Sequence, residues 1–473
     1  MSFIFPGNPM ASPNLLVPLV MLGWIPVVLY LFSQLPARQA VVISFLFAWM
    51  FLPQAALPLT GIPDYTKTSA TCYGILLATF IFDVGRFRSF RFGWLDVPML
   101  IWCLCPYMSS VTNDLGVYDG LAQALDRTVT WGAPYFLGRI YLNSLLGLRQ
   151  LAIGIFIGGL VYMPLCILES RLSPQLHRIV YGGYTVQDFT QVIRLGGYRP
   201  IVFMQHGLAV GAFMMAATLI GLWLWQTNTI KRLWNIPMGG WVAGLFLTFV
   251  LVRSIGALTL LLIGIVLLYI GKQFRTALPV FLLIAAMAVY LYINAETDTY
   301  FTDQLVSYLS QIFPPERIQS LEFRFNNEEL LADHARERLL FGWGGFNRSR
   351  VIIPGTVDQL AIQDSLWILA FGENGTVGLV SIFTSMLAPV VALFWSRCPA
   401  RLWTHPQIAP VAVLAIMVVL YMVDCIMNAM INPIYILAAG GIAGFVMSPE
   451  PRRRKATNPA VPVRRQLVQQ RPL

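Results

Sequence analysis

Arginines in unusual places carry most of the chemistry that this chain can be expected to do. Most of the sequence is a succession of apolar segments, and the short connectors rich in Lys and Arg mark one side as cytoplasmic. Yet Arg171, Arg178, Arg194, Arg199, Arg253, Arg317, Arg324, Arg336, Arg338, Arg348 and Arg350 fall on the other side. The positive-inside bias disfavours that placement, so an external anion is expected to offset it. Guanidinium forks match phosphate oxygens in plane and spacing. A lipid-linked pyrophosphate at the outer membrane face is the anion that fits best.

Four constellations refine this expectation. Arg194-Leu195-Gly196-Gly197-Tyr198-Arg199-Pro200, with His206 and Gly207 after it, enters an apolar run from an external loop. Its glycines free the backbone to approach a ligand, although arginines snorkelling at the interface would produce the same pattern. His206 reads equally as a core histidine. Arg253 sits between two apolar runs with no hydrophilic loop around it. Such an arginine either faces a polar cavity or pairs inside the bundle. The stretch around Arg324, Asn326, Asn327, Glu328, Glu329, Asp333, His334, Arg336, Glu337 and Arg338 reads mainly as a solvated helix face, with Asp333 and Arg336 spaced to pair. Arg324 leads it and stands out. Last, Asp364-Ser365 precedes an apolar helix and can cap it. Glu373, two turns further in among glycines, is a base or an ion-pair partner.

These residues must be positioned by a membrane bundle. Of 473 residues, 57% are hydrophobic and 11% charged, and the mean hydropathy is +0.67. Soluble domains carry roughly a quarter charged residues, so this is an all-α polytopic membrane protein. At about 20 residues per span, roughly thirteen segments (12–14) follow, near 14–34, 39–58, 68–84, 95–112, 127–145, 150–169, 201–225, 238–252, 255–271, 276–294, 365–395, 407–428 and 433–447. Arg127 and Arg139 interrupt the fifth, and Arg253-Ser254 divides the eighth from the ninth.

The organisation that results has four parts. Residues 1–294 hold ten membrane segments and an external loop at 170–200. Residues 295–364 form a large external loop, helical over Ser320 to Leu340 and broken by Phe341-Gly342-Trp343-Gly344-Gly345-Phe346-Asn347. Residues 365–448 hold three more segments, and 449–473 form a basic cytoplasmic tail without fixed structure. Arg38, the run Arg86-Phe87-Arg88-Ser89-Phe90-Arg91, Arg149, Lys231-Arg232, Lys272, Arg275, Arg397, Arg401 and the cluster Arg452 to Lys455 share the cytoplasmic side, which leaves the N-terminus outside. The tail cluster is a topology anchor or an anionic-lipid contact. No cleavable signal peptide is expected, because no basic region precedes the first apolar run. The net charge of +10 does not indicate nucleic acid in so apolar a chain. Cys72, Cys103, Cys105, Cys166, Cys398 and Cys425 lack metal-ligand spacing and read as buried thiols.

In order along the chain, these motifs resemble the bacterial O-antigen ligase and polysaccharide polymerase superfamily. Tyr198-Arg199-Pro200 with His206-Gly207 resembles the family's arginine segment before a His-Pro-Asn-like stretch. Arg253-Ser254-Ile255-Gly256-Ala257 resembles its Ser-Arg-Gly-like element. Leu340 to Phe346 resembles its Pro-Leu-x-Gly-x-Gly-x-x-Phe stretch. Asp364-Ser365 followed by Gly375-Thr376-Val377-Gly378 matches the spacing of its His-Asn/Ser/Gln…Gly-x-x-Gly motif. The resemblance spans roughly 195–380. Ligases carry His where this chain has Asp364, and an acidic residue there looks more like the polymerases.

The resemblance implies a GT-C-like fold in the bacterial inner membrane, with the active site facing the periplasm or exterior. It also implies glycosyl transfer from a polyprenyl-pyrophosphate-linked oligosaccharide to an acceptor hydroxyl. A chain-length regulator or another polysaccharide-assembly protein is a further partner it implies. Placement and resemblance together nominate Arg199, Arg253 and Arg324, with Arg194, as the pyrophosphate clamp. Asp364, Glu373 and His206 are the acceptor-side candidates. No Asp-x-Asp metal motif lies on the outer face, so catalysis is expected to need neither metal nor other cofactor. A ligase is the alternative within the enzyme class. A lipid-linked saccharide transporter or flippase is the alternative outside it, and would more naturally show repeat symmetry. A non-catalytic envelope-assembly factor would tolerate Lys in place of the external arginines.

Overall fold

The protein is described from a computed structural model, which covers residues 4–5, 12–59, 62–186, 189–296, 306–308, 310–311, 315–353 and 360–449. The expected basic tail lies almost wholly outside the described residues. The fold is helical, with three two-stranded hairpins in its loops.

Long apolar runs fold as helices because no other structure satisfies the backbone without water. The first half contains α1 (Leu16–Gln34), α2 (Ala37–Phe51), α3 (Lys67–Phe82), α4 (Gly85–Ser89), α5 (Val97–Thr112), α6 (Val117–Arg127), α7 (Ala133–Tyr141), α8 (Leu145–Leu172) and α9 (Leu176–Tyr181). The second half contains α10 (Gly207–Gln226), α11 (Met238–Leu251), α12 (Ile255–Phe274), α13 (Leu278–Glu296), α14 (Pro315–Arg336), α15 (Leu366–Ala392), α16 (Ala409–Met427) and α17 (Pro433–Met447). Among the described residues, eight of the expected segments are long and apolar enough to cross a membrane, in α1, α5, α8, α10, α12, α13, α15 and α16. The apolar helices α2, α3, α11 and α17 are shorter.

The expected fifth segment, 127–145, departs most from expectation. It folds as the last residue of α6, a π-helical turn over Thr128–Gly132, and the nine-residue α7. Its two arginines explain why. Arg139 is buried and forks onto Asp96, with Nε 2.7 Å from Oδ1 and Nη2 2.9 Å from Oδ2. Arg127 pairs with Glu373 of α15. Each charge is neutralised inside protein rather than carried through lipid.

The most enclosed spanning-length helices are α10 and α16, with α1 and α13 at the periphery. Small residues set the tightest contact, between α7 and α17. A side chain at Gly440 would meet the Tyr135 backbone, and one at Gly138 would meet that of Leu437. The two helices therefore pack backbone to backbone. All six cysteines are free and buried, as expected.

Helix α15 is broken where the sequence is richest in glycine. Gly375 adopts φ +64° within it. The break frees backbone groups, and the loop Leu339–Gly344 takes them up. Trp343 and Gly344 N–H donate to the Gly372 and Glu373 carbonyls at 2.9 and 3.0 Å. Thr376 and Val377 N–H donate to the Leu339 and Leu340 carbonyls at 2.8 and 3.3 Å. Gly342 also has positive φ, and its Cα faces the Gly372–Asn374 backbone closely enough that a Cβ would lie 2.6 Å away. The glycine motifs at 340–346 and 372–378 thus form one interlock. The glycines around Glu373 serve a backbone exchange between loop and helix.

Candidate functional site

The expected external constellations converge where α10, α12 and α15 begin and where α16 ends. Strands Ile193–Arg194 and Gly197–Tyr198 form a hairpin whose two turn residues, Leu195 and Gly196, both have positive φ, as its tight turn requires. The chain then passes through Arg199 and Pro200 to the start of α10. Glu169 of α8 holds this passage, accepting the N–H groups of Ile201 and Val202 at 2.8 and 2.7 Å and that of Leu176 at 2.9 Å.

Arg199 is buried, and its Nη2 donates to the Arg253 carbonyl at 3.4 Å. Arg253 breaks the chain between α11 and α12 with φ +55°, and its Nη1 donates to the Tyr198 carbonyl at 2.9 Å. The glycines of this motif act differently from expectation. A Cβ at Gly197 would sit 2.4 Å from the Arg253 guanidinium, and one at Gly207 would sit 2.3 Å from the Arg199 stem. They make room for the arginines themselves. Arg194 lies on the hairpin, its Nη1 3.3 Å from the Ile193 carbonyl.

His206 occupies the N-cap of α10, where Nδ1 accepts the Leu208 N–H at 3.2 Å. Burial and then the charges of Arg199, Arg194 and Arg324 push its pKa down to about 4. The imidazole is neutral at pH 7, and because Nδ1 accepts, the ring proton sits on Nε2. His206 therefore offers a donor rather than a lone pair, which argues against its expected role as an acceptor-side base.

Arg324 of α14 closes the cluster. Its Nη1 donates to the Met427 carbonyl at the end of α16 at 3.3 Å, and its Nε lies 3.8 Å from Asp364 Oδ2. Asp364 is 41% exposed, so it remains open to a substrate. Beneath, Asp424 accepts from Asn428 Nδ2 at 2.9 Å within the field of Arg324.

Glu328 was grouped with a solvated helix face, and the structure corrects this. One turn beyond Arg324, it is only 6% exposed, and Asn327 beside it is also buried. Burial pushes its carboxyl up to about 7; Ser365, Trp367 and Arg324 oppose that shift, and Asp364 adds to it. Ser365 holds the N-cap position of α15 without a side-chain bond to the helix, contrary to the expected cap. Its hydroxyl faces Glu328 instead. The only sequence signal was the four-residue spacing from Arg324 to Glu328, which puts both on one face.

Glu373 does not join this group. It pairs with Arg127, near Asp126 and Arg350, along a separate cleft. Asp333 and Arg336 pair as their spacing suggested, at 2.5 Å. The structure thus brings together Arg194, Arg199, Arg253, Arg324, His206 and Asp364, adds Glu328 and Asp424, and sets Glu373 apart. Arg324 beside the exposed Asp364, and Arg194, Arg199 and Arg324 near the neutral His206 donor, can bind a multiply charged anion and accept a proton beside it.

No protein-family model matches the chain, and no curated protein matches it significantly.

Proposed function

We propose that this protein is a membrane glycosyltransferase that polymerises polyprenyl-pyrophosphate-linked oligosaccharide repeats at the external face of a bacterial inner membrane. The observation that carries this reading is the convergence of Arg194, Arg199 and Arg324 around His206, with Arg253 against Arg199 and Asp364 against Arg324. The acceptor hydroxyl oxygen attacks the donor's anomeric carbon. The bond from that carbon to the pyrophosphate oxygen breaks, and its electron pair leaves with the phosphate. The guanidinium groups stabilise the charge that develops there, and Nε2–H of His206 adds a neutral donor. Asp364 receives the acceptor's proton. The arginines supply the positive charge that a divalent ion would otherwise bring, so the reaction is metal-independent. An acidic residue at 364, where the resembled ligases carry His, favours polymerase over ligase.

A lipidic substrate is further supported by a groove of about 720 Å³ between α13 and α15. It runs from Ala295 and Thr376 to Trp395 along apolar side chains. The nineteen-residue rise from Thr376 to Trp395 is about 28 Å, close to the roughly 30 Å of a bilayer's hydrocarbon core. Helix α13 also bears Tyr290, whose ring meets Trp367 at 6.2 Å, next to Glu328.

The test is reconstitution in liposomes with a polyprenyl-pyrophosphate-linked repeat. The expected result is a ladder of products, one polyprenyl pyrophosphate released per bond, unaffected by a chelator. Activity lost on chelation and regained with a divalent ion would refute metal independence. Transfer only to a non-polymer acceptor would identify a ligase, and saccharide movement across the bilayer without bond formation a transporter.

A further inference from the structure

A second external cleft, of about 430 Å³, lies apart from the arginine cluster. It sits between the loop before α3, helix α6 and the glycine loop at 345–346. Its size falls in the range of small-ligand sites, and its lining is mixed. Tyr118 and Phe346 border it and are 66% and 68% exposed. Phe346 holds φ +58°, a left-handed conformation that costs a bulky residue about 1 kcal/mol or more, while its ring stays outside the core. Asp126 lines the cleft, is exposed, and accepts no hydrogen bond from the described protein. Asp64 stands opposite, held by the Leu59 N–H at 3.4 Å. Gln123 is fixed between Gly345 N–H at 2.8 Å and Asp119 at 2.6 Å.

The charges decide what such a cleft can take. Arg127 is neutralised by Glu373, and Arg348 by Asp119 at 2.9 Å. With Arg350 also acting on Glu373, Asp64 and Asp126 still leave the cleft net negative, so it disfavours phosphates and acidic sugars. Carboxylates and an amide accept and donate to vicinal hydroxyls, and aromatic faces attract the positively polarised C–H face of a sugar ring.

We propose that this cleft binds a hydroxyl-rich saccharide segment free of negative charge, which is the part of the glycan lying beyond the reacting end. The proposal rests on the reading of a saccharide substrate. Glu373, which lines the cleft, lies seven residues into α15, about 10 Å along the helix from Leu366, so one short glycan reaches from the cleft toward Asp364.

The test uses full-length protein in nanodiscs on an array of neutral, amino and uronic-acid oligosaccharides. The expected result is binding of uncharged or amino glycans, weakened at least tenfold by Asp126→Asn and by Tyr118→Ala and unchanged by Gly256→Ala. No binding of such glycans, a preference for acidic ones, or wild-type affinity in both cleft variants would overturn it. Binding is read without turnover. A protein that binds glycans here but makes no polymer would sink the polymerase reading and leave this cleft standing.

Discussion

Arg199 and Arg253 lie 54 residues apart in sequence and meet in space, the guanidinium of Arg199 donating to the Arg253 carbonyl at 3.4 Å. Arg253 in turn donates to the Tyr198 carbonyl at 2.9 Å. Both arginines reach backbone oxygens of the other's segment, and these contacts hold their guanidinium groups in place. Electrostatic stabilisation of a developing charge depends on donors fixed in this way before the reaction.

His206 acts as a neutral donor and a helix cap in this account. His206→Asn keeps an acceptor for the Leu208 N–H and should leave the pH profile of polymerisation unchanged between pH 5.5 and 8. His206→Ala should lose about 1 kcal/mol of stability with the cap. A rate that follows an ionisation near pH 6.5 in wild type, and loses it in His206→Asn, would contradict the assignment.

Glu328 titrates far above the ordinary glutamate value of 4.5, at about 7. Its proton is held by the folded protein in a range where the unfolded chain has released it. Stability therefore falls as pH rises from about 4.5 to about 7, and is level above that, by up to roughly 3 kcal/mol. Glu328→Gln removes this dependence. Melting in detergent should show the variant more stable than wild type at pH 8, with the gap closing below pH 5. A gap independent of pH would show that the carboxyl ionises normally.

The interlock of the two glycine motifs predicts a sharp contrast. At Gly375 a Cβ would lie 2.3 Å from the Leu340 carbonyl in a conformation at φ +64°. Gly375→Ala should cost at least about 2 kcal/mol and reduce folded protein in the membrane. Gly256→Ala, where a Cβ meets nothing within 4 Å, should be silent. Equal yield and melting temperature for both would dismiss the interlock.

The Arg127–Glu373 pair separates a structural carboxylate from a catalytic one. Removing one partner strands a charge of low exposure and should cost about 3–5 kcal/mol. Arg127→Gln with Glu373→Gln should regain most of that stability and retain polymerisation. A stable but inactive double variant would return Glu373 to the reaction.

Eight of the expected segments were legible as spanning-length helices because runs of about 20 apolar residues admit few other structures. Segment 127–145 was not, because the partners of its two arginines, Asp96 and Glu373, lie 43 and 246 residues away. Arg199 and Arg253 stood out in the sequence as charges at the edges of apolar segments, and Arg324 as the charge leading an external helix. Glu328 did not, since a charged external helix looks the same in sequence whether one face is buried or not. The meaning of Gly197, Gly207 and Gly375 depended on which atoms approach them, and spacing alone does not encode that.

The central claim is that the arginine cluster holds the donor's pyrophosphate during polymerisation. Its most direct test is polysaccharide analysis in the source organism with Arg253→Lys, beside a deletion and wild type, at matched membrane levels of protein. The account predicts that the lipid-linked single repeat persists while long chains are lost, because lysine supplies charge without the planar fork. An unchanged chain-length distribution at normal protein level would contradict it.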